Sequence, residues 1–221
     1  VDALRSPTGK RKGSLAAVHG ADLGAHVIKA IVERNGVPAG DYDDVIFGCS
    51  WQVGTQSGDL GRMAALDAGY PITASGVTLD RFCGSGITAV NLAAANVMSG
   101  LEDVVVAGGA EMMSSYRQNA PNNRNPFLDN GNLHLRALHP QTNQGVAADA
   151  IATLEGISRE DLDALAAESQ RRAEVAIAEG RFERSLVAVL NDDGTVALDR
   201  EEFPRPGTTA EKLAGLAPSF E

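Results

Sequence analysis

The sequence predicts an α/β fold built on a parallel sheet. Three observations point there. Short β-rich runs alternate with helical runs from Gly20 to Ala110, the pattern of strands joined by crossover helices. Each helical run closes on a glycine. The last of these helices is apolar nearly all round.

The elements follow in order. "VDA" at the N-terminus reads as the end of a strand. From Gly20 to Glu33 the apolar residues Leu23, Val27, Ile28 and Ile31 recur at helical spacing, and Gly36 ends the run. Asp44 to Cys49 is a strand. Gly58 to Ala68 is a helix closed by Gly69 and Pro71. "SGVTLDR" is the next strand, Gly84 to Ser99 the next helix, and "EDVVVAGGAE" a strand running into a glycine pair. The helix after Cys83 carries Ile87, Ala89, Val90, Leu92, Ala93, Ala94, Val97 and Met98, so it is expected inside the protein, between layers.

After Glu111 the character changes. "SSYRQNAPNNRNPFLDNGN" is polar, rich in Asn and Pro, and without period, and reads as a long loop or the entry to an insertion. Two helices are expected next, over Val146 to Leu154 and from Ser158 to Gly180, the second with Asp161 as capping-box partner of Ser158. "SLVAVLNDDGTVALDREEF" reads as a hairpin around Asp193-Gly194.

Composition narrows the function classes. The 221 residues are 43% hydrophobic and 22% charged, with a net charge of -10. No apolar run reaches the length of a membrane span, so no membrane partner is expected. A nucleic-acid binder needs a basic face. The one dense basic cluster, Arg5, Lys10, Arg11 and Lys12, reads as a solvated loop, so no nucleic-acid partner is expected either. Two cysteines and four scattered histidines offer neither a disulfide scaffold nor metal-ligand spacing. No metal is expected, and a reducing, cytoplasmic setting fits best.

Cys83 is the candidate nucleophile. It stands where the strand ends and the helix opens, and a helix N-terminus carries about half a positive charge and unsatisfied N–H groups. Such junctions favour the thiolate over the thiol, and the N–H groups beside it can stabilise an oxyanion. Gly84 and Gly86 leave room for a carbonyl and an acyl chain. Cys49 ends a strand with no helix opening on it, and reads as structural.

At these residues the sequence resembles the thiolase family. "LDRFCGSG" is similar to the family's nucleophile segment, and "RSPTGKRKGSL" to its start. "DVIFGC" with "GRMAAL", "VVVAGGAEMMS", "ISREDLDALAAESQRRAEVAIAEGRF" and "RPGTTAEKLAGLAPSF" follow in family order. The resemblance implies a thiolase-like fold: the N-terminal βαβαβ half of a five-layered α/β/α/β/α architecture, with an inserted, mostly helical loop domain. The implied division is a core over 1–112, a loop domain over 113–206 and a return segment over 207–221. The C-terminal half is expected to lie outside this sequence.

The implied activity is acyl-CoA C-acyltransfer through an acyl-cysteine on Cys83, as thiolysis of a 3-ketoacyl-CoA or Claisen condensation of two acyl-CoA molecules. The partners implied are acyl-CoA and CoA as substrates, with no bound cofactor, within fatty acid metabolism. A homodimer or homotetramer is implied. The N–H of Cys83 would form part of an oxyanion hole, and Arg205 matches a position that contacts the nucleotide end of CoA. The family's Gly-His-Pro, Cys-x-Gly and Asn-Glu-Ala-Phe motifs do not occur, and His139, preceded by Leu138, does not stand for the first. Two residues depart from the family: Asp80 replaces a common Asn, and Asn143, Gln144 and Gly145 stand where acetoacetyl-forming members carry His-Met-Gly. The competing reading is a thiolase-like protein that binds acyl-CoA or lipid without turnover, or a partial chain that needs its other half.

Overall fold

The computed structural model of the chain describes residues 1–115 and 129–220. The first helix, α1 (Gly20–Asn35), is capped by the His19 ring, which accepts the Ala21 N–H, and closes on Gly36 in the left-handed region at φ 67°. Its inward face carries Ala21, Gly24, Ala25 and Ile28. Strand β1 (Asp44–Gly48) follows, then α2 (Leu60–Asp67), whose cap Asp59 accepts the Arg62 N–H. The remaining sheet elements are β2 (Val77–Leu79), α3 (Ser85–Ser99) and β3 (Val105–Gly109).

β1 is the central strand. β2 runs parallel on one side, with Ile46 opposite Val77, and β3 parallel on the other, with Asp44 opposite Val105 and Gly48 opposite Gly109. Alternation along β1 builds two cores. Val45 and Phe47 pack with Ala21 and Ile28 of α1 and with Leu60, Ala64 and Ala65 of α2. Ile46 faces the other way, onto Ala89 and Ala93 of α3. The sheet therefore has helices on both faces, and the alternation of elements carried that much of the fold.

Two expectations differ from the structure. α3 is not enclosed: Ser85, Thr88, Ala89 and Ala93 are buried, while Ile87 and Met98 are 68% and 87% exposed, and Val90, Leu92 and Val97 also face out. An all-round apolar helix needs a layer on each side, and among the described residues the sheet covers one side only. Val1 to Leu4 form no strand. Arg5 makes an isolated parallel bridge to Leu186, through Arg5 N–H to Ser185 O (2.8 Å) and Val187 N–H to Arg5 O (3.0 Å).

The predicted hairpin is present as β4 (Val189–Leu190) and β5 (Val196–Leu198), antiparallel, with Gly194 at φ 80° in the turn. Val189 and Leu198 pack with Leu15 and Leu23. The basic cluster is partly neutralised beside it. Arg5 pairs with Glu201 and lies 4.8 Å from the Phe182 ring centroid, while Glu202 accepts the N–H groups of Lys10 and Ser14.

Contacts group the chain into two compact units, Val1–Ala120 with Phe182–Phe203, and Pro121–Arg181 with Pro204–Glu221. These boundaries cut the chain differently from the expected 1–112, 113–206 and 207–221: the hairpin groups with the sheet. The second unit contains α4 (Leu133–Leu138), α5 (Gln144–Glu155), α6 (Arg159–Ala178) and the short α7 (Ala210–Ala214). The Ser158–Asp161 capping box forms as read, and Arg159 ties α6 to α7 through Leu213 O (2.7 Å). Much of the expected polar loop falls on residues 116–128, outside the described residues. No helix among the described residues is long and apolar enough to cross a membrane.

Candidate active site

The polypeptide leaves β2 at Leu79 and enters α3 at Ser85 through a tight turn that carries Cys83. Phe82, just before the cysteine, is at φ 50°, a left-handed conformation that costs a non-glycine residue about 1–3 kcal/mol. Hydrogen bonds hold it there. The Asp80 carboxylate accepts the Phe82 N–H (2.7 Å), and the Phe82 carbonyl accepts the Ser85 N–H (3.0 Å) and hydroxyl (2.6 Å). The Ser85 hydroxyl in turn accepts the Arg81 N–H (2.8 Å). A further donor comes from β1's side: the Ser50 hydroxyl reaches the same Phe82 carbonyl at 3.0 Å.

Cys83 is exposed, one residue before Gly84, the cap of α3. Gly84 offers no side-chain cap, and the N–H groups of Gly86 and Ile87 find no acceptor among the described residues. A Cβ on Gly86 would meet nothing within 4 Å, so the space above the helix end is open. Gly48 does the opposite job: a Cβ there would lie 2.5 Å from the Ser85 carbonyl carbon. Its absence lets the end of β1 press against the start of α3.

Cys49 differs in every respect. It is fully buried, and its N–H continues the ladder to Leu79 O (3.0 Å). Burial pushes its thiol up to about 11. A hydrogen bond from the Trp51 backbone works against this, and the Glu111 charge adds to it. Glu111, just past β3, lies 3.7 Å from the Cys49 sulfur and accepts the Ser50 N–H (2.7 Å) and the Gln56 side-chain amide (3.1 Å). Gln56 is itself 1% exposed; its amide also reaches Trp51 O (2.8 Å), and its oxygen accepts the Met112 N–H.

Sequence reading picked out Cys83 and missed Ser50, Gln56 and Glu111. Glu111, two residues after the glycine pair Gly108-Gly109, gave a weak signal; Ser50 and Gln56 gave none. Arg205 lies in the second unit, exposed, with its N–H on Gln170 Oε1 (2.7 Å) and its carbonyl accepting the Thr208 hydroxyl (2.7 Å). Asn143 caps α5 and accepts the Gly145 N–H (2.9 Å). Among the described residues no cluster of His, Cys, Asp and Glu could hold a metal ion. A hollow of about 1560 Å³ is lined by residues of α1, α3 and β3, the last of these an edge strand among the described residues, and Cys83 does not line it.

The model of the family described as "Thiolase, N-terminal domain" matches residues 1–221. The chain belongs to the thiolase family. Among curated relatives it is 36% identical over 228 residues to a steroid 3-ketoacyl-CoA thiolase of Mycobacterium tuberculosis, covering 100% of this chain and 55% of the relative. It is 37% identical over 232 residues to a β-ketoadipyl-CoA thiolase of Acinetobacter baylyi, covering 98% and 58%. To a probable acetyl-CoA acetyltransferase of Escherichia coli it is 37% identical over 231 residues, covering 100% and 58%. The chain therefore spans little more than half the length of these thiolase relatives.

Proposed function

We propose that the protein is an acyl-CoA C-acyltransferase in which Cys83 carries the acyl group. The observation that carries this reading is the exposed sulfur beside the uncapped end of α3, in a turn whose strain is held by several hydrogen bonds. In the first half-reaction the Cys83 thiolate attacks the acyl carbonyl, and a new C–S bond forms. With acyl-CoA the bond to CoA sulfur breaks. With 3-ketoacyl-CoA the bond between the α and β carbons breaks, and the departing enolate takes up a proton. In the second half-reaction the acyl group passes to the CoA thiolate, or to the α carbon of a second acyl-CoA that has given up its α proton; the bond between the acyl carbon and Cys83 Sγ breaks and the thiolate is restored. Backbone N–H groups at the turn would face the charge that develops on the carbonyl oxygen.

The relatives' names, which all include acyl-CoA chemistry, support the substrate class. Arg205, whose guanidinium has no carboxylate partner among the described residues, is the proposed contact to the nucleotide end of CoA. The five-layered architecture with an inserted loop domain, a homo-oligomeric state, a cytoplasmic location and a role in fatty acid metabolism belong to the same proposal. No group needs to be held as a cofactor in this scheme, because CoA enters as substrate.

The test is the intact mass of the full-length protein after incubation with acetyl-CoA. One acetyl group, mapped to Cys83 and lost in Cys83→Ala, is expected. Binding without an adduct would favour a non-catalytic acyl-CoA or lipid binder and overturn the reading.

A further inference from the structure

We propose that Ser50 is a positioning residue for Cys83, held in place by Glu111; this rests on the reading of Cys83 as the acyl carrier. Phe82 occupies a conformation that an L-residue leaves unless its surroundings hold it. Relaxation of Phe82 to negative φ would redirect the next residue, Cys83, and the N–H groups that follow. Most of the hydrogen bonds that hold the turn come from within it or from the first residue of α3, so they can move with it. The Ser50 hydroxyl is different. Among the described residues it is the hydrogen-bond donor that reaches Phe82 O from outside the segment 79–85.

Ser50 is itself anchored. Its N–H is on Glu111 Oε2 at 2.7 Å, Glu111 Oε1 accepts from Gln56 at 3.1 Å, and the Gln56 oxygen accepts the Met112 N–H. The residues just beyond β1, β2 and β3 are thus joined through one carboxylate and one hydroxyl. Small displacements of a nucleophile relative to its oxyanion donors are costly to rate without being costly to substrate binding. A side chain that fixes this turn therefore acts on the acylation step.

The experiment measures the rate of acyl-Cys83 formation in the full-length protein by mass spectrometry over a range of acetyl-CoA concentrations. For Ser50→Ala the rate at saturation should fall by roughly ten-fold, with the half-saturating concentration unchanged. Ser50→Thr, which keeps the hydroxyl, should restore most of the rate. Ser57→Ala, which removes a hydroxyl bonded to Gly54 O in the same loop, should leave it unchanged. A Ser50→Ala rate equal to wild type overturns the positioning role while leaving Cys83 as the acyl carrier. Ser50→Thr as slow as Ser50→Ala assigns the effect to packing and also overturns it. Wild type that takes no acyl group removes the reading of Cys83, and the role of Ser50 with it.

Discussion

The two cysteines stand at the ends of neighbouring parallel strands. Cys49 follows β1 directly, and Cys83 follows β2 by four residues. The same thiol meets opposite surroundings because the two strands end differently. β1 runs on into a loop folded over Gln56 and Glu111, which closes around Cys49. β2 turns sharply into α3, and the turn puts Cys83 outside. Residue type therefore says little about reactivity here; what decides is whether the strand ends in a loop that covers the sulfur or in a helix that presents it.

The largest effect expected from this contrast is in alkylation. With iodoacetamide at about pH 8, a thiol pushed up to about 11 is ionised in roughly one molecule in 10³, and Cys49 is also shielded from the reagent. The folded protein should take up one label, on Cys83, and a second only on unfolding. Peptide mapping that finds Cys49 labelled at a comparable rate would break the comparison.

Next in size is Gly48→Ala. The added Cβ would fall 2.5 Å from Ser85 C and 2.7 Å from the Gly86 nitrogen, and backbone on both sides leaves nothing flexible to give way. A loss of about 1–3 kcal/mol is expected in chemical denaturation, together with altered Cys83 labelling, because the start of α3 must move off β1. Gly40→Ala, where the nearest atom would be Pro71 Cγ at 3.9 Å, serves as control and should stay within about 0.5 kcal/mol. If Gly48→Ala behaves like the control, the turn does not depend on this close approach.

Much of the contrast was legible in the sequence, and the reason lies in short-range signals. Gly36 and Gly100 close helices in left-handed conformations, Ser158 and Asp161 cap each other, and Cys83 precedes a small-residue helix start. These depend on neighbours a few residues away. Ser50, Gln56 and Glu111 come together only when β1 and β3 pair, more than fifty residues apart, so no local pattern announces them. The apolar surround of α3 was read correctly as composition. Its burial was not, because burial depends on what lies on the second side. The hairpin was found by its Asp-Gly turn, but its grouping with the sheet follows from Val189 and Leu198 meeting Leu15, a contact invisible to periodicity.

The smallest effect tests whether Cys49 is as sealed as its surroundings imply. In the unfolded chain its thiol ionises near its ordinary value of 9.0, and in the folded protein only near about 11. Between these values the unfolded state has released a proton that the folded state retains, so stability falls as pH rises through this window. The contribution is intact below about pH 9 and lost by about pH 11. Cys49→Ala removes it. The measurement is the difference in unfolding free energy between wild type and Cys49→Ala across the alkaline range. Tyr42 and Tyr70, whose hydroxyls burial also pushes up, are common to both proteins and cancel in that difference. A difference that narrows with rising pH confirms that folding closes over Cys49. A flat difference would mean that this thiol ionises as readily folded as unfolded, and the two strand ends would then no longer differ in how they treat a sulfur.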